Sequence, residues 1–199
     1  MTYFWDERYN QEEFVYGTES NEFLKEQLNS LIPGKIIFVC EGEGRNAVYA
    51  AKLGWYVEAF DLSKVAMSKA LKLAEKNNVN IHYHIADAIV IEYPANQYDA
   101  VALIYAHFPS SIRSSIHQKV IKWLKHNGKV ILEAFNPNQL NNSSGGPKDI
   151  DMLYTKEMLI NDFKDLKIDL LEYKQIFLSE GKFHHGIADV VRFVGTKIK

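Results

Sequence analysis

Cysteine is nearly absent from this chain, and one residue of it, Cys40, in 199 excludes an intrachain disulfide framework and fits a reducing compartment. Charge of one sign is lacking too. Lysine and arginine number 23 against 25 acids, for a net charge of −2 and a pI of about 6.4. Without a basic block, nothing meets the electrostatic requirement of a nucleic-acid backbone. No apolar run approaches membrane-spanning length, and the start "MTYFWDERYNQEEF" carries acids where a secretory signal needs a basic end and an apolar run. These absences lead to the expectation of a cytoplasmic protein that engages neither nucleic acid nor membrane. Repeats and low-complexity tracts are missing as well, and the one extended loop-like stretch is "NPNQLNNSSGGPKD", Asn136 to Asp149.

What is present is apolar material. At 47% hydrophobic and 13% aromatic, the chain can bury one core, and a single domain over residues 1–199 is expected. Short apolar runs alternate with helical patterns: "KIIFVC", a helix marked by Ala47, Ala50 and Ala51, "WYVEAFD", and a helix marked by Leu62, Ala66, Ala70, Leu73 and Ala74. "NIHYHIAD" and "YDAVALIYA" read as two further strands. A helix with Ile112, Ile116 and Val120 then leads to "GKVILEAF". This spacing predicts βαβ crossovers and an α/β fold with a parallel sheet covered on both faces. After a helix from about Thr155 to Phe163, "KIDLLEYKQIFL" and "IADVVRFVGTKI" flank the turn-rich "SEGKFHHG", which predicts an antiparallel hairpin. Ahead of the sheet lie an arm, residues 1–20, rich in aromatics, and a helix from about Asn21 to Leu31, expected on the sheet edge.

Ligands of open parallel sheets bind at the carboxyl ends of the strands. The stretch "FVCEGEGRNAVYAAKLGWYVEAFD", Phe38 to Asp61, puts Cys40, Glu41, Gly42, Glu43 and Gly44 at the end of the first strand, and Asp61, followed by Leu62, at the end of the second. Asp87 ends the third, followed by Ala88, and "YAHFP", with Tyr105 and His107, ends the fourth. Glycine lets a backbone pass close to a ligand. A helix N-terminus normally invites phosphate, but carboxylates at Glu41 and Glu43 suit a neutral or cationic ligand better. Asp61 is placed to accept ribose hydroxyls and Asp87 an adenine amino group. Each acid has a plainer reading, since aspartate is also a favoured N-cap and the glycines suit a tight turn. The remaining histidines show no metal-ligand spacing, and no metal is expected.

The words "EGEGRNAVYAAKLG", "VEAFDLS", "YDAVALIYAHFPSSIR", "LKHNGKVILEAF" and "WDERYNQEEFVYGTESNEFL" resemble the class I S-adenosylmethionine-dependent methyltransferases, in particular the small bacterial tellurite-resistance and thiopurine-type members. The resemblance implies a Rossmann-like, doubly wound, seven-stranded sheet whose last two strands are the hairpin. It also implies S-adenosyl-L-methionine as cofactor and a small-molecule methyl acceptor, a thiol or chalcogen compound. Cofactor contacts are then expected from Cys40, Glu41, Gly42, Gly44, Asp61, Leu62, Asp87, Ala88 and Tyr105, with Trp5 and Tyr9 of the arm closing over the cofactor. The acid usual before the glycine loop corresponds to Phe38 and the first glycine to Cys40, so Glu41 is expected to take the cofactor ammonium. His107 is the candidate catalytic base or acceptor-orienting donor. Two other readings stay open: a nicotinamide-dependent oxidoreductase, because "GEGRNA" fits the dinucleotide fingerprint, and a non-catalytic S-adenosylmethionine-binding protein.

Overall fold

Alternate residues of the first strand, β1 (Lys35–Val39), point to opposite faces: Ile36 and Phe38 to one, Ile37 and Val39 to the other, and all four are buried. A strand with no wet face belongs in the middle of a covered sheet. The computed structural model, which describes residues 2–198, has β1 there. It pairs in parallel with β2 (Tyr56–Asp61) on one side and β4 (Tyr98–Ile104) on the other. With β3 (His82–Ile85), β5 (Leu124–Phe135), β6 (Leu166–Ser179) and β7 (His185–Lys197), the sheet order is β3-β2-β1-β4-β5-β7-β6. Strands β1 to β5 run in parallel, and β7 enters antiparallel between β5 and β6. This is the expected seven-stranded, doubly wound α/β fold with its C-terminal hairpin.

The helices are α1 (Thr2–Tyr9), α2 (Glu22–Asn29), α3 (Arg45–Lys52), α4 (Lys64–Lys76), α5 (Ser110–Trp123) and α6 (Lys156–Asp162). Their starts follow local chemistry. Asn21 accepts from the Leu24 amide, Ser63 from Ala66 and Thr155 from Met158, each satisfying a first-turn N–H. Helix α2 departs from expectation. Phe23, Leu24 and Leu28 pack with Ile36, Phe38, Ile131 and Val194 on one sheet face, because three apolar side chains find more cover there than at an edge. The opposite face carries α5 and α6 through Ile116, Val120, Leu159 and Phe163. No described helix is long and apolar enough to cross a membrane.

The aromatic arm packs on the start of α4. Its first half is the helix α1, held across that end of α4. The Asp6 carboxylate accepts from the Ser63 hydroxyl at 2.5 Å and the Val65 amide at 3.4 Å, at the positive end of α4. Lys69, one turn further along, donates to the carbonyls of Gln11 at 2.9 Å and Glu13 at 2.6 Å.

Candidate functional site

Order reverses between β1 and β4, which leave their shared border toward opposite faces, and a crevice opens at their carboxyl ends. The first residue after each strand is held in the left-handed region, Cys40 and Tyr105 both at φ 55°. Non-glycine residues there cost roughly 1 kcal/mol or more each, and two such residues on adjacent strands mark where local geometry yields to a site. Above them lies a cavity of about 420 Å³.

Its floor gathers most of the expected residues. Cys40, Glu41 and Gly42 line it from β1, Asp61 and Leu62 from β2, Asp87 and Ala88 from β3, and Tyr105 and His107 from β4. Trp5 and Tyr9 line it from α1, their rings stacked at 5.6 Å. Gly42 sits at φ 65°, and a Cβ there would lie 2.8 Å from the Tyr9 hydroxyl oxygen, so the helix above rests directly on the glycine. Asp61 is nearly buried. Its two oxygens accept from the Gly42 amide at 3.1 Å and the Ser63 amide at 2.9 Å, which fixes the carboxylate beneath the loop. Burial pushes its carboxyl up, and those amides pull it back down. Glu41 accepts through one oxygen from Asn46 and Ala47 at the start of α3, and burial still raises its carboxyl to about 7. Asp87 accepts from the Ile89 amide at 2.8 Å. The cap reading and the ligand reading therefore coexist at these acids, since a carboxylate has lone pairs for both.

Three expectations need correction. Gly44 does not line the cavity. At φ 87° it lets α3 meet α4, where a Cβ would come 2.5 Å from that of Ala70, so this glycine serves helix packing. Glu43 touches the cavity, but its carboxylate is committed to the roof: it accepts from the Val15 amide at 2.9 Å and pairs with Lys69 at 2.6 Å. His107 has no free nitrogen. Its Nδ1 donates to the Met152 carbonyl at 2.6 Å, its Nε2 accepts from the Phe135 amide at 3.2 Å, and burial lowers its pKa to about 4. With both lone-pair and N–H used by backbone, it ties β5 to the 3₁₀ turn Ile150–Met152 and does not act as a base. Cys40 stays a thiol, because burial pushes its pKa well up.

The group that sequence reasoning passed over is His184, in the turn between β6 and β7. It is 6% exposed and lines the cavity wall between Tyr16 at 4.6 Å and Tyr105 at 4.7 Å. Its Nδ1 faces Glu180 at 3.3 Å, and among the described residues its Nε2 has no hydrogen-bond partner. Arg45 donates to the same Glu180 oxygen at 2.8 Å, and against burial the His184 hydrogen bond and the Arg45 guanidinium lower the Glu180 carboxyl to about 2. Burial lowers the His184 pKa despite Glu180, so the imidazole is neutral at pH 7. The turn-rich "SEGKFHHG" was its only sequence signal.

Residues 36–128 match the family model described as a methyltransferase domain. That stretch is thus similar to a methyltransferase domain, and the sheet order is that of the class I methyltransferase fold. The chain is 29% identical over 121 residues to phosphoethanolamine N-methyltransferase 1 of Arabidopsis thaliana, across 60% of this chain and 24% of that protein. It is 28% identical over 175 residues to the protein of the same name from Zea mays, across 87% of this chain and 32% of that one. It thus spans about a quarter to a third of those plant proteins. Among solved structures it is similar to TehB from Haemophilus influenzae, with a TM-score of 0.71 at 16% identity over 98% of this chain and 66% of that one. A methyltransferase-like structure from Bacillus halodurans gives a TM-score of 0.72 at 13% identity, over 90% of this chain and all of the other. At such identities the likeness is one of fold.

Proposed function

We propose that this chain is an S-adenosylmethionine-dependent methyltransferase acting on a small-molecule acceptor, as a single domain whose first twenty residues close over the site. The observation that carries the reading is the convergence of Glu41, Asp61 and Asp87, from the ends of three consecutive parallel strands, on one cavity under Gly42. That donor-poor, carboxylate-rich floor suits a ligand with ribose hydroxyls, an amino-substituted ring and positive charge, and it repels the pyrophosphate of a nicotinamide dinucleotide. Asp61 would accept from the ribose hydroxyls, Asp87 and Ala88 would receive the adenine, and the second oxygen of Glu41 would take the ammonium. Trp5, Tyr9 and Tyr105 enclose the sulfonium end, where aromatic faces favour a cation.

Bound there, the cofactor would supply an electrophilic methyl carbon on a sulfonium, whose sulfur would keep the electron pair as the methyl group is displaced by the acceptor lone pair. The protein's task is to hold the acceptor in line and exclude water. For a protic acceptor the proton passes to His184 Nε2, with Glu180 fixing the ring through Nδ1. The acceptor is a thiol or reduced chalcogen compound, a reading supported by likeness to the tellurite-resistance and thiopurine-type proteins. An amine is the second reading, favoured by the N-methyltransferase names of the plant relatives. Calorimetric titration should give one S-adenosylmethionine bound per chain and no heat with nicotinamide dinucleotides; the reverse would overturn the reading. Screening thiols, selenols and amines by product mass identifies the accepting atom.

A further inference from the structure

The chain has four arginines, and three of them are buried against a carboxylate: Arg45 on Glu180, Arg113 on Asp162 and Arg192 on Glu133, at 2.6 to 2.8 Å. The fourth, Arg8, lines the cavity. No carboxylate among the described residues lies within ion-pair distance of it. Its guanidinium is fixed instead by aromatic rings, over Phe183 at 4.2 Å and Phe4 at 5.0 Å, with one N–H on the Tyr16 hydroxyl at 3.2 Å. Rings hold the faces of a guanidinium and leave its N–H edge for an acceptor in the plane.

The rest of the rim agrees. Lys148 lines the same cavity, donates to the Asn142 carbonyl at 3.0 Å, and has no carboxylate partner among the described residues. Asp149 stands beside it, with one oxygen engaged by the Asp151 amide. Tyr16 links Arg8 to His184, so cation, phenol and free imidazole form one continuous wall. The cavity therefore has both carboxylates without a cation partner, at the strand ends, and two cations, Arg8 and Lys148, without a carboxylate partner among the described residues.

Resting on the methyl-transfer reading, we infer that the acceptor is anionic, carrying a carboxylate or phosphate group that Arg8 binds edge-on, with Lys148 adding charge. Bound so, the acceptor's nucleophilic end turns inward along the wall toward His184.

Two matched pairs test this: 3-mercaptopropionate against 2-mercaptoethanol, and the phosphate monoester of ethanolamine against ethanolamine. They separate carboxylate from phosphate and sulfur from nitrogen. Methyl transfer is followed by product mass in the unaltered protein, Arg8→Gln and Arg8→Lys, with melting temperatures to establish folding. In the unaltered protein the anionic member of whichever pair reacts should show a kcat/KM about tenfold higher or more, mainly through KM, as expected for a charge-assisted hydrogen bond. Arg8→Gln should bring that ratio to about one, and Arg8→Lys should keep part of it. Equal turnover of both members, or a preference that survives Arg8→Gln, overturns the inference. If neither pair reacts, each anion is titrated into protein saturated with S-adenosylhomocysteine. Binding lost in Arg8→Gln then supports the inference, and absence of binding overturns it. Failure of S-adenosylmethionine itself to bind strikes the methyl-transfer reading, and this inference falls with it.

Discussion

The floor and the roof of the cavity are built by different means. Its floor consists of strand ends in a parallel sheet, where Cys40, Asp61, Asp87 and Tyr105 take their places from the hydrogen-bond ladder beneath them. The roof, α1 with residues 10–17 and the β6–β7 turn, has no ladder. It hangs on a few polar ties: Asp6 on the start of α4, Lys69 on the carbonyls after α1, Glu43 on the Val15 and Tyr16 amides, and Arg45 on Glu180. A floor fixed by backbone is rigid, whereas a roof fixed by side chains is able to open. The acids of the proposed cofactor site sit on the first, and Trp5, Tyr9, Arg8 and His184 on the second.

The sharpest way to break that contrast is Lys69→Met, which leaves Glu43 buried without its cation. Removing one partner of a buried pair costs roughly 3 to 5 kcal/mol. Amides of residues 2–16 should then exchange faster while those of β1 and β4 keep their protection, and saturating cofactor should restore part of the loss. Uniform loss of protection would show that roof and floor are one cooperative unit.

Next in size is the pair of glycines. Gly44→Ala combines left-handed strain with a clash at Ala70 and should lower stability by roughly 2 to 4 kcal/mol, leaving the cofactor affinity of the folded protein intact. Gly42→Ala pushes on Tyr9, so its main effect should be on cofactor affinity. A melting curve and a titration on each variant distinguish the two; interchanged effects would reverse their assignment. Asp61→Ala should weaken cofactor binding by roughly 1.5 to 3 kcal/mol, the range for hydrogen bonds to a charged group. Unchanged affinity with a lower melting temperature would return Asp61 to a purely structural role.

The last effect is a pH dependence at Glu41. Its carboxyl is raised to about 7 from an ordinary 4.5. Between those values the folded protein holds a proton that the unfolded chain has released, so the free protein loses stability as pH rises through that window. Cofactor affinity should move the other way and climb toward pH 8, because an ammonium needs the ionised carboxylate. Glu41→Gln should flatten both curves. A pH-independent affinity in the unaltered protein would remove Glu41 from the ammonium site.

The two histidines explain how far the sequence could be followed. His107 stands at a strand end, where catalytic residues gather, yet its neighbours in space are the Met152 carbonyl and the Phe135 amide, 45 and 28 positions away. His184 sits in the hairpin turn, where its Nδ1 meets Glu180, itself held by Arg45, 139 positions before the histidine. Parallel sheet, terminal hairpin and acids at strand ends were legible because each depends on local periodicity and on where a strand stops. Gly42 and Gly44 look alike in sequence, but one meets Tyr9 and the other Ala70. Which glycine faces the ligand, which histidine keeps a free nitrogen and which arginine lacks a carboxylate were decided only by the tertiary structure, because hydrogen bonding and charge pairing are settled between residues that meet only once the chain has folded.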